Sequence, residues 1–352
     1  MHRERIAIFV LAGLLLGGFV LSANAATIKK SASKIIPAKI VAAKKVKKPV
    51  VMMPRKLDGL PVPKGQENLW PIAVMIDNYP AARPQAGLQS ASIVYETLAE
   101  GGIPRFMAIF AQRKMAEVGP VRSTRPYFVK EAAEINAAMA HAGGSPDGLN
   151  LLKNLRMQSI WAIKGAFAKF FYRAHGGGVH GLYTSGTKLT TALKQAKTDR
   201  LKALYRPWKF VDQAQTKQRP NGKHGATINL GAGRSYDVEY RYDKKSDSYL
   251  RFTGYRPQID RLTKRQIAVK NVIIMNTAKE KVLDRKGRLD IKVTGRDTGY
   301  LLKDGKVIPI IWTKKSNRAR TIFTTRNGKE VQLNRGNTWI TIVPRGHKYQ
   351  VY

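Results

Sequence analysis

The chain has 352 residues, with 63 Lys and Arg against 23 Asp and Glu, a formal charge of +40 and no cysteine. The missing cysteine excludes disulfides, thiolate nucleophiles, cysteine-ligated metals and lipidated cysteine. The charge points to a partner that is negative over a large area: nucleic acid, anionic lipid or an anionic cell-wall polymer. The length exceeds one ordinary core, and 43% hydrophobic residues can bury two.

Residues 1–25 predict a secretory signal peptide: Arg3 and Arg5 ahead of an apolar run from Ile6 to Leu21, then Ala23-Asn24-Ala25 as a small-x-small cleavage site. The alternative is a retained membrane anchor, for which the run is short against the ~20 residues that a span needs. Cleavage leaves Ala26 first and, since Arg3 and Arg5 outnumber Glu4 by one, a mature charge of +39. Either way the expected location is extracytoplasmic: periplasm, cell wall or medium. Residues 26–66 then read as a Lys-rich disordered linker, a solvated spacer or an electrostatic adhesive, because high charge with almost no aromatics does not offset the entropy of ordering.

Beyond the linker the expected fold class is α+β: an N-terminal α/β layered domain over 67–205, then a smaller, mostly antiparallel β domain over 206–352. In the first, Pro71 to Ile76 reads as a buried strand ending in Asp77-Asn78, with further strands over Ser92–Leu98 and Arg105–Ala111 around Glu100-Gly101-Gly102. Helices are expected over Arg125–Ala138, with Glu131 and Glu134 on one side, over Gly148–Leu155, and over Thr187–Tyr205. Between them, Gly165–Ser185 is aromatic, basic and glycine-rich, a loop suited to close approach of a ligand. Arg206-Pro207-Trp208 marks the boundary. Past it come short β-branched or aromatic segments separated by turns such as Asp304-Gly305 and Asn327-Gly328.

The chemistry-bearing residues concentrate between Asp77 and Ser145. Arg83, Arg105, Arg122 and Arg125 fall at element ends, and guanidinium groups suit bidentate capture of phosphate or carboxylate. They could equally close internal ion pairs with Asp77, Glu96 and Glu100. Asn78, Gln85, Ser123, Ser145, Tyr172 and Arg173 complete the candidate binding set with Asp77. Glu96 and Glu100, four apart, are candidates for an acid/base pair, and His141 and His180 for catalytic imidazoles. His175 and His180 flank three glycines without a metalloprotease helix, so no metal is expected, and no cofactor signature is present. Neither Ser123 nor Ser145 sits in a Gly-x-Ser-x-Gly elbow.

At these residues the sequence resembles domain-of-unknown-function family 3048, the YerB-like lipoproteins of the bacterial envelope. The resemblance rests on Ile76-Asp77-Asn78, Arg83-Pro84-Gln85, Glu100-Gly101-Gly102, Gly119-Pro120-Val121-Arg122-Ser123-x-Arg125, His141-x-Gly143-Gly144-Ser145 and Phe171-Tyr172-Arg173. In the second half it rests on Tyr249-x-Arg251 and Gly336-Asn337-Thr338-Trp339. It covers about 67 to 352 and implies an extracytoplasmic two-domain protein with no established reaction. Two departures stand out: the family's lipobox cysteine is absent, and its usual Pro-His-Asn reads Val179-His180-Gly181.

The leading expectation is therefore an envelope protein that binds an anionic cell-wall or surface-glycan ligand, or the membrane surface, through its arginine cluster. The alternative is a cell-wall glycan hydrolase or transferase using Glu96 and Glu100. Extracellular nucleic-acid binding stands third, since export places the chain away from most nucleic acid.

Overall fold

The computed structural model describes residues 50–199, 201–202, 204–211 and 224–352, all within one compact unit, Pro49–Tyr352. The signal peptide and the linker up to residue 49 lie outside the described residues. The disordered linker does not extend to residue 66. Met52–Pro54 pairs antiparallel with Pro61–Pro63, and Leu57 and Asp58 are buried between these strands. Asp58 accepts from Arg55 Nε at 2.8 Å and from Ser92 Oγ at 2.6 Å, so its buried charge is compensated and the segment is fastened to the core.

The protein is mostly β, built on a ten-stranded mixed sheet. Across the sheet the strands are Ile322–Thr324, Lys306–Lys314, Gly295–Lys303, Asn271–Thr277, Thr338–Pro344, Ile93–Leu98, Pro104–Phe110, Ile72–Ile76, Ala138–His141 and Ser159–Trp161. Strands 72–76 and 93–98 are buried at every residue, as strands covered on both faces are; the first is a continuous apolar run, while the second also buries Glu96 and Thr97. A second sheet holds Gly225–Asn229, Asp237–Asp243, Ser248–Thr253 and Lys348–Val351, with short additions at 256–257 and 268–269.

Two expectations are corrected. The strands beyond residue 206 pair mostly antiparallel, as expected, but they do not form a sheet apart from the first half: strand 338–344 lies between 271–277 and 93–98 and is parallel to both. The ten-stranded sheet thus draws on both sides of Pro207. Two of the three helices are also shorter than expected, the first and the third. Helix α1 is Pro126–Ala133, α2 is Pro146–Asn154 and α3 is Gly186–Gln195. Helix α1 stops because Asn136 takes a left-handed φ of 49°, and the small residues after it form the inner strand 138–141 rather than further turns. Helices α2 and α3 start where Ser145 and Ser185 accept from Gly148 N and Lys188 N, both at 3.2 Å. The Asp304-Gly305 turn is as expected, both residues at positive φ between strands 295–303 and 306–314.

Glu131 and Glu134, expected on one side of the first helix, are both buried. Lys314 Nζ stands 2.7 Å from Glu134 Oε2 and 3.5 Å from Glu131 Oε2. Burial raises both carboxyls. For Glu134 the charges of Arg320 and Lys314 outweigh it and hold the group at about 2, whereas Glu131, weakly paired and repelled by Glu134, is pushed to about 7. An acid raised in the fold contributes stability below its unfolded value and loses it as pH climbs toward the folded one. Lys314→Met should cost about 3–5 kcal/mol near neutral pH. The cost should shrink at pH 5, where Glu131 is buried as the neutral acid; urea unfolding at pH 5 and pH 7.5 reads the difference.

Candidate functional site

The candidate residues gather where several strands end. Asp77 and Asn78 follow strand 72–76, Glu96 closes toward the end of 93–98, Glu100 follows it, Arg105 opens 104–110 and His141 ends 138–141. Because 104–110 runs antiparallel to its neighbours, its start meets their carboxyl ends, the edge at which open sheets present ligand sites.

The Gly119–Arg125 segment fastens the loops to that edge. Asp77 N donates to Pro120 O at 2.8 Å and Arg122 N to Met75 O at 3.0 Å, while Val121 N donates to Leu182 O at 2.6 Å. One short segment therefore bridges strand 72–76 and the loop carrying His180. Gly119 permits this: it has φ 150°, and a Cβ there would lie 2.8 Å from the Tyr183 ring and 2.9 Å from Leu182 O.

Asp77 is the hub. Its Oδ2 accepts from His180 Nδ1 at 2.7 Å, its Oδ1 from Tyr79 N at 2.9 Å, and Arg122 Nε stands 2.8 Å from Oδ2. That last contact is an ion pair without hydrogen-bond alignment, since the Nε–H finds no acceptor. The ring of Tyr79 stacks on His180 at 4.9 Å between centroids, and His180 Nε2 has no partner among the described residues. Arg83 touches no carboxylate among the described residues. Its donors reach Asn78 Oδ1 at 3.2 Å, Asn78 O at 3.0 Å and Ser235 O at 2.7 Å, and its guanidinium lies over Tyr236.

Glu100 is shared. Arg125 Nη2 donates to it at 2.6 Å, its Nε makes a second bond, and Arg105 Nη2 stands 3.7 Å away. Burial pushes Glu100 up, but the hydrogen bond and charge of Arg125 prevail and hold it below the usual carboxylate range. Burial, then the neighbouring Arg125, lowers Arg105; burial likewise lowers Arg83. Two guanidiniums crowd one carboxylate here.

Glu96 does not meet Glu100 in an acid/base pair. It is fully buried and accepts from Arg251 Nη2 at 2.9 Å. Arg251, a residue the sequence reading quoted but gave no role, sits among Phe106, Tyr240 and Trp339. It continues a relay: Arg251 Nε donates to Gln258 Oε1 at 2.5 Å, Gln258 Nε2 to Gln85 Oε1 at 3.3 Å, and Gln85 Nε2 to Asp77 O at 3.1 Å and Asn78 Oδ1 at 3.2 Å. With Oδ1 taken by two donors, Asn78 Nδ2 is left buried with no acceptor.

Other candidates have structural partners. His141 is buried with both ring nitrogens engaged: Nδ1–H donates to Gly143 O and Nε2 accepts from Ser159 Oγ, each at 2.8 Å. Burial lowers it to about 4, so it is neutral near pH 7 and closed to solvent, which corrects the expectation of a catalytic imidazole. Ser145 caps α2, and Ser123 Oγ donates to Ala142 O at 2.8 Å. Tyr172 OH donates to Glu117 Oε2 at 3.1 Å, and Arg173 closes the glycine loop on Gly178 O. Glu117, which also holds His175 at 2.9 Å, carried no sequence signal. No group of three or more His, Asp or Glu suited to a metal occurs among the described residues.

Two family models match the chain: the N-terminal domain of protein of unknown function DUF3048 over residues 57–199, and its C-terminal domain over 226–340. The Bacillus subtilis (strain 168) protein named "Putative lipoprotein YerB" is 33% identical over 303 residues, covering 86% of this chain and 87% of that protein. The crystal structure of YerB protein from Bacillus subtilis superposes with a TM-score of 0.74 at 32% identity, over 85% of this chain and 99% of that one.

The two kinds of arginine should separate by mutation. Arg251→Met leaves Glu96 charged and buried, and should lose about 3–5 kcal/mol in urea unfolding. Arg122→Ala, whose side chain is 29% exposed, should lose about 1 kcal/mol or less.

Proposed function

The chain belongs to the DUF3048 family, and on that premise we propose that it is an exported envelope protein that binds an anionic ligand, a cell-wall polymer or surface glycan. The ligand site is the carboxyl-end edge of the sheet, where Arg83, Arg105, Arg122 and Arg125 surround Asp77 and Glu100. The carrying observation is the surplus of guanidinium over carboxylate: three of the four arginines share two acids, and Arg83 reaches none among the described residues. An anion would supply the missing counter-charge through charge-assisted hydrogen bonds. Export is supported by the basic-then-apolar N-terminal run and by the lipoprotein name of the Bacillus relative.

A hydrolytic second reading draws on one observation, the Asp77–His180 pair. A buried carboxylate on Nδ1 orients the imidazole and leaves Nε2 to take a proton from water. This moves the acid/base role away from Glu96 and Glu100, which are committed to arginines. Incubating the protein with peptidoglycan and teichoic acid and looking for released fragments by mass spectrometry decides it; parent and His180→Ala giving the same fragments, or neither giving any, removes it.

For the binding reading, sedimentation with purified cell-wall sacculi at raised salt is the test. Exposed lysines are screened within ~8 Å at physiological ionic strength. Deleting residues 26–48 should therefore weaken binding mainly at low salt. Arg122→Ala/Arg125→Ala should weaken it about tenfold or more at raised salt. Equal affinity of the folded double variant and the parent would leave only the basic tail.

A further inference from the structure

At the opposite ends of the same strands lies a second basic site. A cavity of about 800 Å³ opens between the 52–63 hairpin and the segments that precede strands 93–98, 271–277 and 338–344. Strand 93–98 alone puts about 20 Å between it and the arginine cluster. Arg55, Arg113, Lys114, Lys270 and Arg335 line it, and Asp58, already held by Arg55, is the one acid among the lining residues. Such a volume suits a whole small ligand.

Two features narrow the ligand class. Arg113 is desolvated without a carboxylate contact among the described residues: its guanidinium donates to Trp70 O and Gln112 O, and burial lowers it to about 10. The cavity also has an apolar wall, Leu60, Val62 and Leu69, which continues along the hairpin to exposed Val50, Val51, Met52 and Met53, 38–66% accessible. An apolar wall beside a desolvated guanidinium that meets no carboxylate among the described residues matches a molecule with an anionic head and an apolar body. In sequence this hairpin follows directly on the lysine-rich stretch.

We propose that this cavity and the apolar edge of the hairpin bind an anionic phospholipid, with Arg113 and Lys114 on the phosphate and Leu60, Val62 and the 50–53 side chains against the acyl chains. This site is independent of the arginine cluster and gives the folded part a hold on an anionic membrane surface in a chain that has no cysteine to lipidate.

Calorimetric titration of the full chain with dihexanoyl phosphatidylglycerol, kept below its micelle concentration, tests it against dihexanoyl phosphatidylcholine and inorganic phosphate. The phosphatidylglycerol should bind about tenfold or more tighter than either. Arg113→Gln/Lys114→Gln should abolish that preference, and Lys114→Gln alone, at an exposed position whose loss cannot unfold the chain, should reduce it. Arg122→Ala/Arg125→Ala should leave it intact. Equal affinity for the two lipids, or folded pocket variants that bind like the parent, would overturn the proposal. So would inorganic phosphate binding as tightly as the lipid, which would reduce the cavity to a simple anion site.

Discussion

The ion pair between Glu96 and Arg251 sets the terms for the rest of the molecule. Both side chains are withdrawn from water among Phe106, Tyr240 and Trp339, and a charge in such surroundings is tolerable only with a partner at hydrogen-bond distance. The strand carrying Arg251 belongs to the smaller sheet and the strand carrying Glu96 to the larger, so the pair fixes one sheet against the other. Gln258 and Gln85 carry that constraint to Asn78 and to the backbone of Asp77. The position of the Asp77 carboxylate, and through it those of His180 and Arg122, is thus set partly by a residue more than 170 positions away in sequence.

That distance explains what the sequence reveals and what it hides. Strand 72–76 and its polar terminus at Asp77-Asn78 are legible because a continuous apolar run ending in polar residues is a local pattern. The cluster of arginines near residues 83–125 is legible for the same reason. Arg251 is hidden: a strand arginine surrounded by Tyr, Leu, Phe and Thr reads as solvent-facing until the partner across the sheet is known. Glu131 and Glu134 mislead in the same way, since their neutralising Lys314 and Arg320 come from the far end of the chain.

The β-branched and aromatic residues of Thr338–Val343 read as a strand in sequence, but nothing in them marks it as a parallel neighbour of 93–98. The uninterrupted burial of all seven residues follows from being covered on both faces, and Thr-Trp-Ile-Thr-Ile-Val-Pro alternates just enough to resemble a half-exposed antiparallel strand. Pairing direction is not written in side-chain periodicity, which is the same for both kinds of ladder. The ordered part starts earlier than residue 66 for a related reason. Met52 to Lys64 is short, basic and proline-bearing, and what orders it is the burial of Leu57 and the bond from Ser92 to Asp58.

The placement of strand 338–344 bears on how the chain reaches its native state. Thr97 Oγ1 donates to Ile342 O across 245 residues, and the backbone ladder between 93–98 and 338–344 closes a loop of similar length. A polypeptide made from its N-terminus presents strand 93–98 long before its neighbour emerges. In that interval one edge of strand 93–98 has no native occupant, and any other chain with free backbone groups can take the position. The strand near the C-terminus is in this sense a closing segment, which completes the sheet only once the chain is finished.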